Sequence, residues 1–582
     1  MTDDLDDTKI DDDDSDKLII ALDFGTTYSG VAYAFTSKPD SVYLVEEWPG
    51  APGKAYQKCP TLVKYDSKKG LQWGCELDRT TSERIEGVKL LLDPDQSRPV
   101  YVSLVNTEAE LKRLGKPAIE VATDYISAIF KHAKQHIAGK YSPDYLDMLP
   151  KKYVLSVPAV WSEKAQKATL QAARNAGITN VELVKEPEAA ALYTLHHMKN
   201  KGLEVGDAFV LCDAGGGTVD LISYEILQIQ PLQVKELVSA SGGIAGSLML
   251  NKRFEEWIKD VVGERAYLDL KEKDAYRRGM RHFDETIKPG FQSAEDEDQY
   301  VSFPRAKLED NEAKGLINDT LVVTGKTLHN LFDPLFKDID KLVKEQVNDV
   351  RIKRMKDNHP KGYQIKAIFL VGGFGSSNYL CESIKSAYPD TQVIQPNDAW
   401  SAIVRGAVMF HLPSEAEVVS SIARKHYGIS ARAPYDPSED EGQSKIWDDH
   451  EERYRVQKLT WYITRGDDML RSRKIEFPFY RSYEPHPSAT QLKFDTTLWE
   501  CSLDKQPRHP GPSVVKNCTI TSDLSKVPDE AFEKRTKVSS TTGVTTEYWR
   551  LHFLLSVEIQ SGPMKFSLIC KGKNYGEADA QY

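Results

Sequence analysis

The sequence lacks any apolar run long enough to cross a bilayer. A membrane-spanning helix needs about 18 or more consecutive apolar residues, whereas apolar stretches such as AIFLVGG (367–373) are short and end in glycines. The opening segment also lacks the basic start and the apolar stretch of a secretory signal. We therefore expect a protein that is not secreted and has no membrane partner.

Cysteine is scarce and scattered. The seven cysteines form no CxxC pair and have no histidine at zinc-ligand spacing, so the sequence indicates neither a disulfide framework nor a zinc site. Reduced thiols are typical of the cytoplasm and the nucleus. We expect a cytoplasmic or nuclear protein.

Basic residues are fewer than acidic residues. The 87 acidic residues outnumber the 76 basic ones, for a net charge of -11, and the basic residues form no cluster. A phosphate backbone would be repelled, so we expect no nucleic-acid partner. Nine aspartates lie between residues 1 and 17, and we expect this segment to be a disordered acidic tail.

Two segments that lie 190 residues apart are similar to each other. They are IIALDFGTTYSGVAYAF and FVLCDAGGGTVDLISYEI, and their overlay aligns Asp23 with Asp213 and Gly25 with Gly215. Each segment predicts an apolar strand, a tight turn and a second apolar strand. The repeat predicts two similar lobes whose turns meet across a cleft, which is a usual place for a ligand.

The rest of the chain shows two patterns. Strands alternate with helices as far as Leu412, which is typical of α/β layering. Beyond Leu412 the apolar residues alternate with period two, as from Leu551 to Ile559, and this predicts antiparallel strands. We expect an α/β domain of two lobes over 18–412 and a β-rich domain over 413–582.

The two predicted turns carry groups that suit a polyphosphate. Glycine allows close approach of the main chain, whose N–H groups can donate to phosphate together with nearby hydroxyls. Asp23 and Asp213 precede the turns and suit a hydrated Mg²⁺. An ordinary hairpin explains the first turn equally well, but the three glycines of the second favour a close ligand. The turn residues are Gly25, Thr26, Thr27, Tyr28, Gly215, Gly216, Gly217 and Thr218.

Five ordered motifs point to a family. The chain has no Walker A motif and no GxGxxG after a strand, which excludes P-loop and dinucleotide-binding folds. DFGTTYSG, VPAVWSEKAQKA, EPEAAALYT, DAGGGTVD and LVGGFGSS instead resemble the Hsp70-type members of the actin-like ATPase superfamily. The similarity covers residues 18–412 and is to the divergent branch without a helical lid, such as the fungal Hsp70-like proteins.

The resemblance implies a fold and a set of cofactors. The fold is the actin-like ATPase fold, with two ribonuclease-H-like lobes around a nucleotide cleft, followed by an antiparallel β-rich domain. The cofactors are ATP or ADP with Mg²⁺, which Asp23 and Asp213 would hold. The turn residues would cradle the phosphates, and further nucleotide contacts would come from Gly246, Glu285, Lys288, Gly372 and Gly373.

The resemblance also implies catalytic roles. Glu186 would position the attacking water, and Lys89 would balance charge on the transferring phosphoryl group, since positioning and neutralisation dominate this chemistry. On the residues alone, Glu186 could simply favour a helix N-terminus, and Lys89 would be an ordinary surface lysine. The implied catalytic set is Glu186, Lys89, Asp213, Thr218 and Asp23.

The sequence departs from the family in three places. Pro289 stands where the family has the arginine that stacks on the base, and Ala245 and Gly246 stand where it has a glycine pair. After residue 412 the acidic, leucine-rich linker of the family is not matched. These departures predict weaker adenine binding than is usual for the family, and they argue against lid-closing chaperone action of the usual kind.

These features predict a slow Mg²⁺-dependent ATPase, converting ATP to ADP and phosphate, with a chaperone-like or partner-binding role. The β-rich domain would bind a protein client or partner, and a co-chaperone or nucleotide-exchange factor would be a further partner. One alternative is a nucleotide-gated binding protein without significant turnover. A small-molecule kinase on the same fold is another, and the appended β domain disfavours a filament.

Overall fold

The computed structural model describes most of the chain. No helix within the described ranges combines the length and the apolar character needed to cross a membrane. All seven cysteines lie in these ranges, and each is a free thiol. The described residues are 16–77, 81, 83–93, 105–197, 202–412, 416–448, 451–470, 474–538, 543–558 and 564–581.

The first lobe, lobe I (residues 18–185), is built on a sheet with the order β3-β2-β1-β8-β9. Strands β1 and β2 form an antiparallel hairpin, and β8 and β9 continue the sheet in parallel. The strands are β1 (Leu18–Phe24), β2 (Tyr28–Phe35), β3 (Tyr43–Leu44), β4 (Cys59–Pro60), β5 (Leu62–Asp66), β6 (Gly70–Trp73), β7 (Ile85–Glu86), β8 (Lys151–Val157) and β9 (Val181–Lys185). The helices are α1 (Val105–Leu114), α2 (Ala118–Ala138), α3 (Pro143–Met148) and α4 (Glu163–Asn175).

The second lobe, lobe II (residues 208–394), repeats this plan in the order β12-β11-β10-β17-β18. Its core strands are β10 (Ala208–Ala214), β11 (Val219–Ile229), β12 (Leu232–Glu236), β13 (Ser241–Gly243), β17 (Ala367–Val371) and β18 (Gln392–Ile394). A three-stranded sheet contains β14 (Gln299–Ser302), β15 (Leu316–Ile317) and β16 (Thr320–Val323). The helices are α6 (Leu248–Val262), α7 (Glu264–Lys271), α8 (Asp274–His282), α9 (Lys288–Gly290), α10 (Gly325–Lys356) and α11 (Asn378–Ala387).

The predicted repeat is confirmed by the two sheets. The offset of 190 residues carries β1 onto β10 from its first residue to its last. In each lobe the hairpin is antiparallel, and the next strand of the sheet runs parallel to its first strand. The α/β actin-like fold with two similar lobes is therefore confirmed.

Two helices join the lobes, because each of them follows one lobe in the chain and packs against strands of the other. α5 (Glu186–His196) follows β9 of lobe I but contacts β10 and β11 of lobe II, whereas α12 (Ala402–Met409) follows lobe II but packs on β1 and β2. The helices also contact each other closely, because a Cβ on Gly406 would lie 1.7 Å from the carbonyl oxygen of Ala189. Small residues such as Ala190 and Ala191 are buried at this contact.

The C-terminal region is rich in antiparallel strands, as predicted. It contains β19 (Ala416–Ile422), β20 (His426–Pro434), β21 (Lys445–Asp448), β22 (Arg453–Ile463), β23 (Asp468–Leu470), β24 (Lys474–Tyr483), β25 (Lys493–Cys501), β26 (Val515–Asp523), β27 (Glu533–Val538), β28 (Thr545–Glu558), β29 (Lys565–Cys570) and β30 (Lys573–Gln581). Ten of these form one sheet, with the main order β21-β22-β20-β25-β26-β30-β29-β28-β24. Leu551, Phe553, Leu555 and Val557 are buried, and Ile559 lies outside the described residues.

Two strands beyond residue 412 differ from the expected division of the chain. β19 runs parallel to β12 of lobe II, and β23 pairs with β19 on the far side. The buried carboxylate of Glu236 accepts hydrogen bonds from the backbone N–H groups of Ala240 and Ile422, each at 2.9 Å. β19 covers the sheet edge that β12 would otherwise expose, so the expected boundary at 412 cuts through the sheet of lobe II.

The acidic tail also ends earlier than expected. Residues 1–15 lie outside the described residues, but Asp16 accepts hydrogen bonds from the backbone N–H of Ser37 (2.9 Å) and from the Tyr145 hydroxyl (2.9 Å). Lys17 donates its backbone N–H to Thr36 Oγ1 at 2.8 Å. The expectation of a solvated tail is therefore wrong for Asp16 and Lys17, because polar partners on lobe I bind them.

We predict that a protein ending at residue 425 is more stable than one ending at residue 412. The longer protein keeps β19, whose Val418 side chain is buried in the hydrophobic core shared by the two lobes, and burial of one aliphatic side chain contributes about 1.5 kcal/mol or more. The melting temperatures of the two truncated proteins test this directly. Equal melting temperatures would mean that β19 does not stabilise lobe II.

Candidate functional site

A cavity of about 1090 Å³ lies between the lobes, where the two hairpin turns meet. Nearly all the residues predicted from the sequence line it, and they come from both lobes. Gly246 does not line the cavity. It packs behind the second turn, where a Cβ would lie 2.2 Å from the carbonyl oxygen of Gly216. The predicted residues in the lining are Asp23, Gly25, Thr26, Thr27, Tyr28, Lys89, Glu186, Asp213, Gly215, Gly216, Gly217, Thr218, Glu285, Lys288, Gly372 and Gly373.

The two turns touch each other, as the repeat predicts. A Cβ on Gly216 would lie 2.2 Å from Oγ1 of Thr27, and one on Gly217 would lie 3.0 Å from Cγ2 of Thr26. Glycine is therefore required in the second turn so that the threonines of the first can pack against it. The turns form one floor of backbone N–H groups and hydroxyls built from both lobes.

Lys89 and Glu186 form a buried ion pair beside this floor. Lys89 lies in a 3₁₀ turn (Val88–Leu92), and Glu186 is the first residue of α5. The Lys89 ammonium donates to the Glu186 carboxylate and lies 5.4 Å from the ring centre of Trp161. Lys89 is 3% exposed, so the alternative of an ordinary surface lysine is wrong.

The Glu186 carboxyl is buried and lies close to other charged groups. Burial raises its pKa to about 7; the carboxylates of Asp23 and Asp220 add to this effect, and the Lys89 ammonium opposes it. A general base works best when its pKa lies near the operating pH. The raised pKa is compatible with a general base at Glu186.

Asp213 is a buried carboxyl that forms no ion pair with the part of the chain that the structure describes. It lies opposite Asp220 in the register of β10 and β11, and directly opposed like charges repel. Burial, followed by Glu186, Asp220 and Asp23, raises its pKa well above the ordinary value. Its Oδ1 atom has no hydrogen-bond partner among the described residues, so this position requires either a proton or a cation.

This donor set fits a magnesium ion on the Asp213 side of the cleft. Mg²⁺ keeps several waters and is usually held by one or two carboxylates together with substrate phosphates. The orphaned, buried oxygen of Asp213 suits that arrangement. Within the described ranges no group of three His, Cys, Asp or Glu side chains is arranged to hold a metal, so phosphate and water would supply the remaining ligands.

Asp23 differs from Asp213 because its carboxylate is already satisfied. Oδ2 accepts a hydrogen bond from the Lys58 ammonium at 2.5 Å, and Oδ1 accepts one from the Ser156 hydroxyl at 2.8 Å. Burial would raise the pKa of Asp23, but Lys58, Lys89 and Ser156 outweigh burial and hold it below its ordinary value. Sequence reasoning missed Lys58 because AYQKCP belongs to no motif.

Several further residues of lobe II line the cavity, including the predicted nucleotide contacts Gly372 and Lys288. Gly372 has a φ of +86°, and a Cβ there would lie 2.3 Å from Oδ1 of Asp213, so only glycine fits. Lys288 donates to Asp284 and, at 3.0 Å, to Asn251. Trp400, which the sequence did not single out, lines the cavity and meets the Tyr28 ring edge-on at 5.4 Å.

Comparison with known proteins identifies the family. The model of the Hsp70 protein family matches residues 99–410, which is more than half of the chain. The chain belongs to the Hsp70 family. Residues 99–410 therefore belong to an Hsp70-like nucleotide-binding domain.

Individual relatives extend the similarity beyond that domain. Human heat shock 70 kDa protein 12A is 24% identical over 92% of this chain and 89% of its own length. Human heat shock 70 kDa protein 12B is 24% identical over 68% of each chain, and the chaperone protein DnaK of Thermosipho melanesiensis is 25% identical over 67% of this chain and 59% of its own. Residues 421–581 match a family described as a domain of unknown function (DUF8568).

We predict that Asp213→Asn raises the melting temperature of the protein without metal or nucleotide. Asparagine keeps the shape of the side chain but removes a buried charge that faces three other carboxylates, which is worth about 1–3 kcal/mol. Because the folded-state pKa of Asp213 is raised, the stabilisation should be largest at alkaline pH and should shrink as the pH falls and Asp213 takes up a proton. A lower melting temperature at pH 8 would contradict this account.

Proposed function

We propose that the chain is a slow, Mg²⁺-dependent ATPase whose β-rich region binds a protein partner. The observation that carries the proposal is the cavity itself, in which two glycine-rich turns from opposite lobes meet beside an orphaned carboxylate. Such a floor suits the phosphates of a nucleotide, and Asp213 suits the metal that accompanies them. When bound, Mg²⁺ would neutralise phosphate charge.

Hydrolysis would depend on Glu186 and Lys89. Glu186 would orient a water molecule and accept its proton, since its pKa of about 7 allows both steps near neutral pH. The Lys89 ammonium would leave Glu186 and contact the phosphoryl oxygens, because those oxygens gain negative charge during transfer.

A second candidate is a nucleotide-gated binding protein without significant turnover. The direct contact between Lys89 and Glu186 favours it, because the carboxylate then binds an ammonium in place of water. The two candidates share the same bound nucleotide and differ only in whether that nucleotide is hydrolysed. In both, the C-terminal sheet would contact a protein client. The seven unpaired cysteines are compatible with the cytoplasm or the nucleus, and we propose that location.

We predict that ATP binds at one site per chain and that Mg²⁺ strengthens this binding. Calorimetric titration of the full chain with ATP, with and without Mg²⁺, measures both effects. Asp213→Asn should lose most of the strengthening by Mg²⁺ because it lacks the anionic oxygen. A titration without heat or saturation under either condition would refute nucleotide binding and both candidates.

We predict that Glu186→Gln slows single-turnover hydrolysis by about 100-fold or more, since general-base catalysis commonly contributes that much, while ATP binding changes little. Glu76→Gln is the matched control, because Glu76 is an exposed carboxylate that lines the same cavity. Equal turnover in the parent and in Glu186→Gln would remove Glu186 from the mechanism. Binding without turnover in the parent would favour the nucleotide-gated protein.

A further inference from the structure

Lys58 is a charged residue inside the cleft that no motif accounts for. Its side chain is 6% exposed and lines the cavity, and its ammonium lies 2.5 Å from Oδ2 of Asp23. Asp23 is the carboxylate that the family resemblance assigns to the metal, and both of its oxygens already accept hydrogen bonds. At Asp23 the protein therefore supplies a cation of its own.

The fold makes room for this lysine. Gly30 lies opposite Asp23 in the register of β1 and β2, and a Cβ on Gly30 would lie 2.8 Å from Cγ of Lys58. The stem of Lys58 thus runs across the space that the missing Gly30 side chain leaves open. Any larger residue at position 30 would push the stem away from Asp23.

Hydrogen bonds also fix the backbone next to Lys58. The adjoining segment, β4, pairs with β2, and the backbone N–H of Thr61 donates to the carbonyl oxygen of Thr27 at 2.8 Å. The Thr61 hydroxyl donates to the carbonyl oxygen of Gly25 at 2.9 Å. The segment that carries Lys58 is consequently bound to the turn that would hold the phosphates. This restricts the position of the Lys58 backbone relative to that turn.

We propose that Lys58 is a built-in cation of the nucleotide site, which binds the phosphates of a nucleoside di- or triphosphate and replaces part of the role of Mg²⁺ in binding. The inference rests on the proposed nucleotide site. A lysine ammonium is a compact charge that binds phosphate well, and here Asp23 and Gly30 orient it before the ligand arrives. Magnesium remains necessary on the Asp213 side for hydrolysis, but not for holding the nucleotide.

The test compares ADP affinity in Mg²⁺ and in EDTA by calorimetry on the full chain. For the parent we expect the affinity to fall by less than about tenfold in EDTA, because Lys58 stays in place. For Lys58→Met we expect a fall of about 100-fold or more in EDTA, since a buried charge contact with phosphate is lost. Lys54→Met is the matched control, because Lys54 is an exposed lysine lining the same cavity, and it should behave as the parent does.

Two further variants keep the test decisive if Lys58→Met folds poorly. Asp23→Asn/Lys58→Met removes both charges together and should likewise lose binding in EDTA. Gly30→Ala displaces the lysine stem and should weaken ADP binding in EDTA in part.

Equal dependence on Mg²⁺ in the parent and in these variants would overturn the proposal. Tighter binding by Lys58→Met in Mg²⁺ would also overturn it, because Lys58 would then be a competitor of the metal. If the parent binds ADP in neither condition, the proposed nucleotide site itself fails, and this inference fails with it.

Discussion

Four carboxyl groups, those of Asp23, Glu186, Asp213 and Asp220, are buried close together, and their mutual repulsion must be relieved by protons or by cations. The chain supplies Lys58 to Asp23 and Lys89 to Glu186. Asp213 has no such partner among the described residues, so when its carboxyl is ionised the chain itself leaves that charge unbalanced. Unbalanced buried charge destabilises a fold unless a ligand compensates, so the same residues that weaken the empty protein create its affinity for a cation and its phosphates.

Small residues let the two lobes approach each other closely in two places, at the floor of the cavity and at the contact between α5 and α12. Gly216 and Gly217 let the turns touch at the floor of the cavity, and Gly406 lets α12 lie against α5 behind it. Since α5 begins at Glu186 and contacts both sheets, a shift of either lobe moves the carboxylate relative to the floor. A ligand that fits one spacing of the lobes better than another therefore selects that spacing.

Much of this arrangement could be predicted from the sequence, because it lies in local patterns. The offset between the two hairpins predicted the paired lobes, and the glycine runs predicted where they meet. Lys58, Trp400 and the pairing of β19 with β12 could not be predicted in this way. Each depends on contacts between residues far apart in the chain, and a lone lysine or a short apolar strand carries no local signal of its distant partner. Gly246, a position inferred from the family, packs against Gly216 and is not among the residues that line the cavity.

The strand β19 has a mechanical consequence. The chain passes between the sheet of lobe II and the C-terminal sheet after β19, after β22 and again after β23. Two of these connections, residues 423–425 and 464–467, are short and restrict how far the two sheets can rotate relative to each other. The C-terminal sheet is thus tethered to lobe II next to β19, which α5 also contacts. A movement of lobe II would therefore carry the adjoining strands of the C-terminal sheet with it.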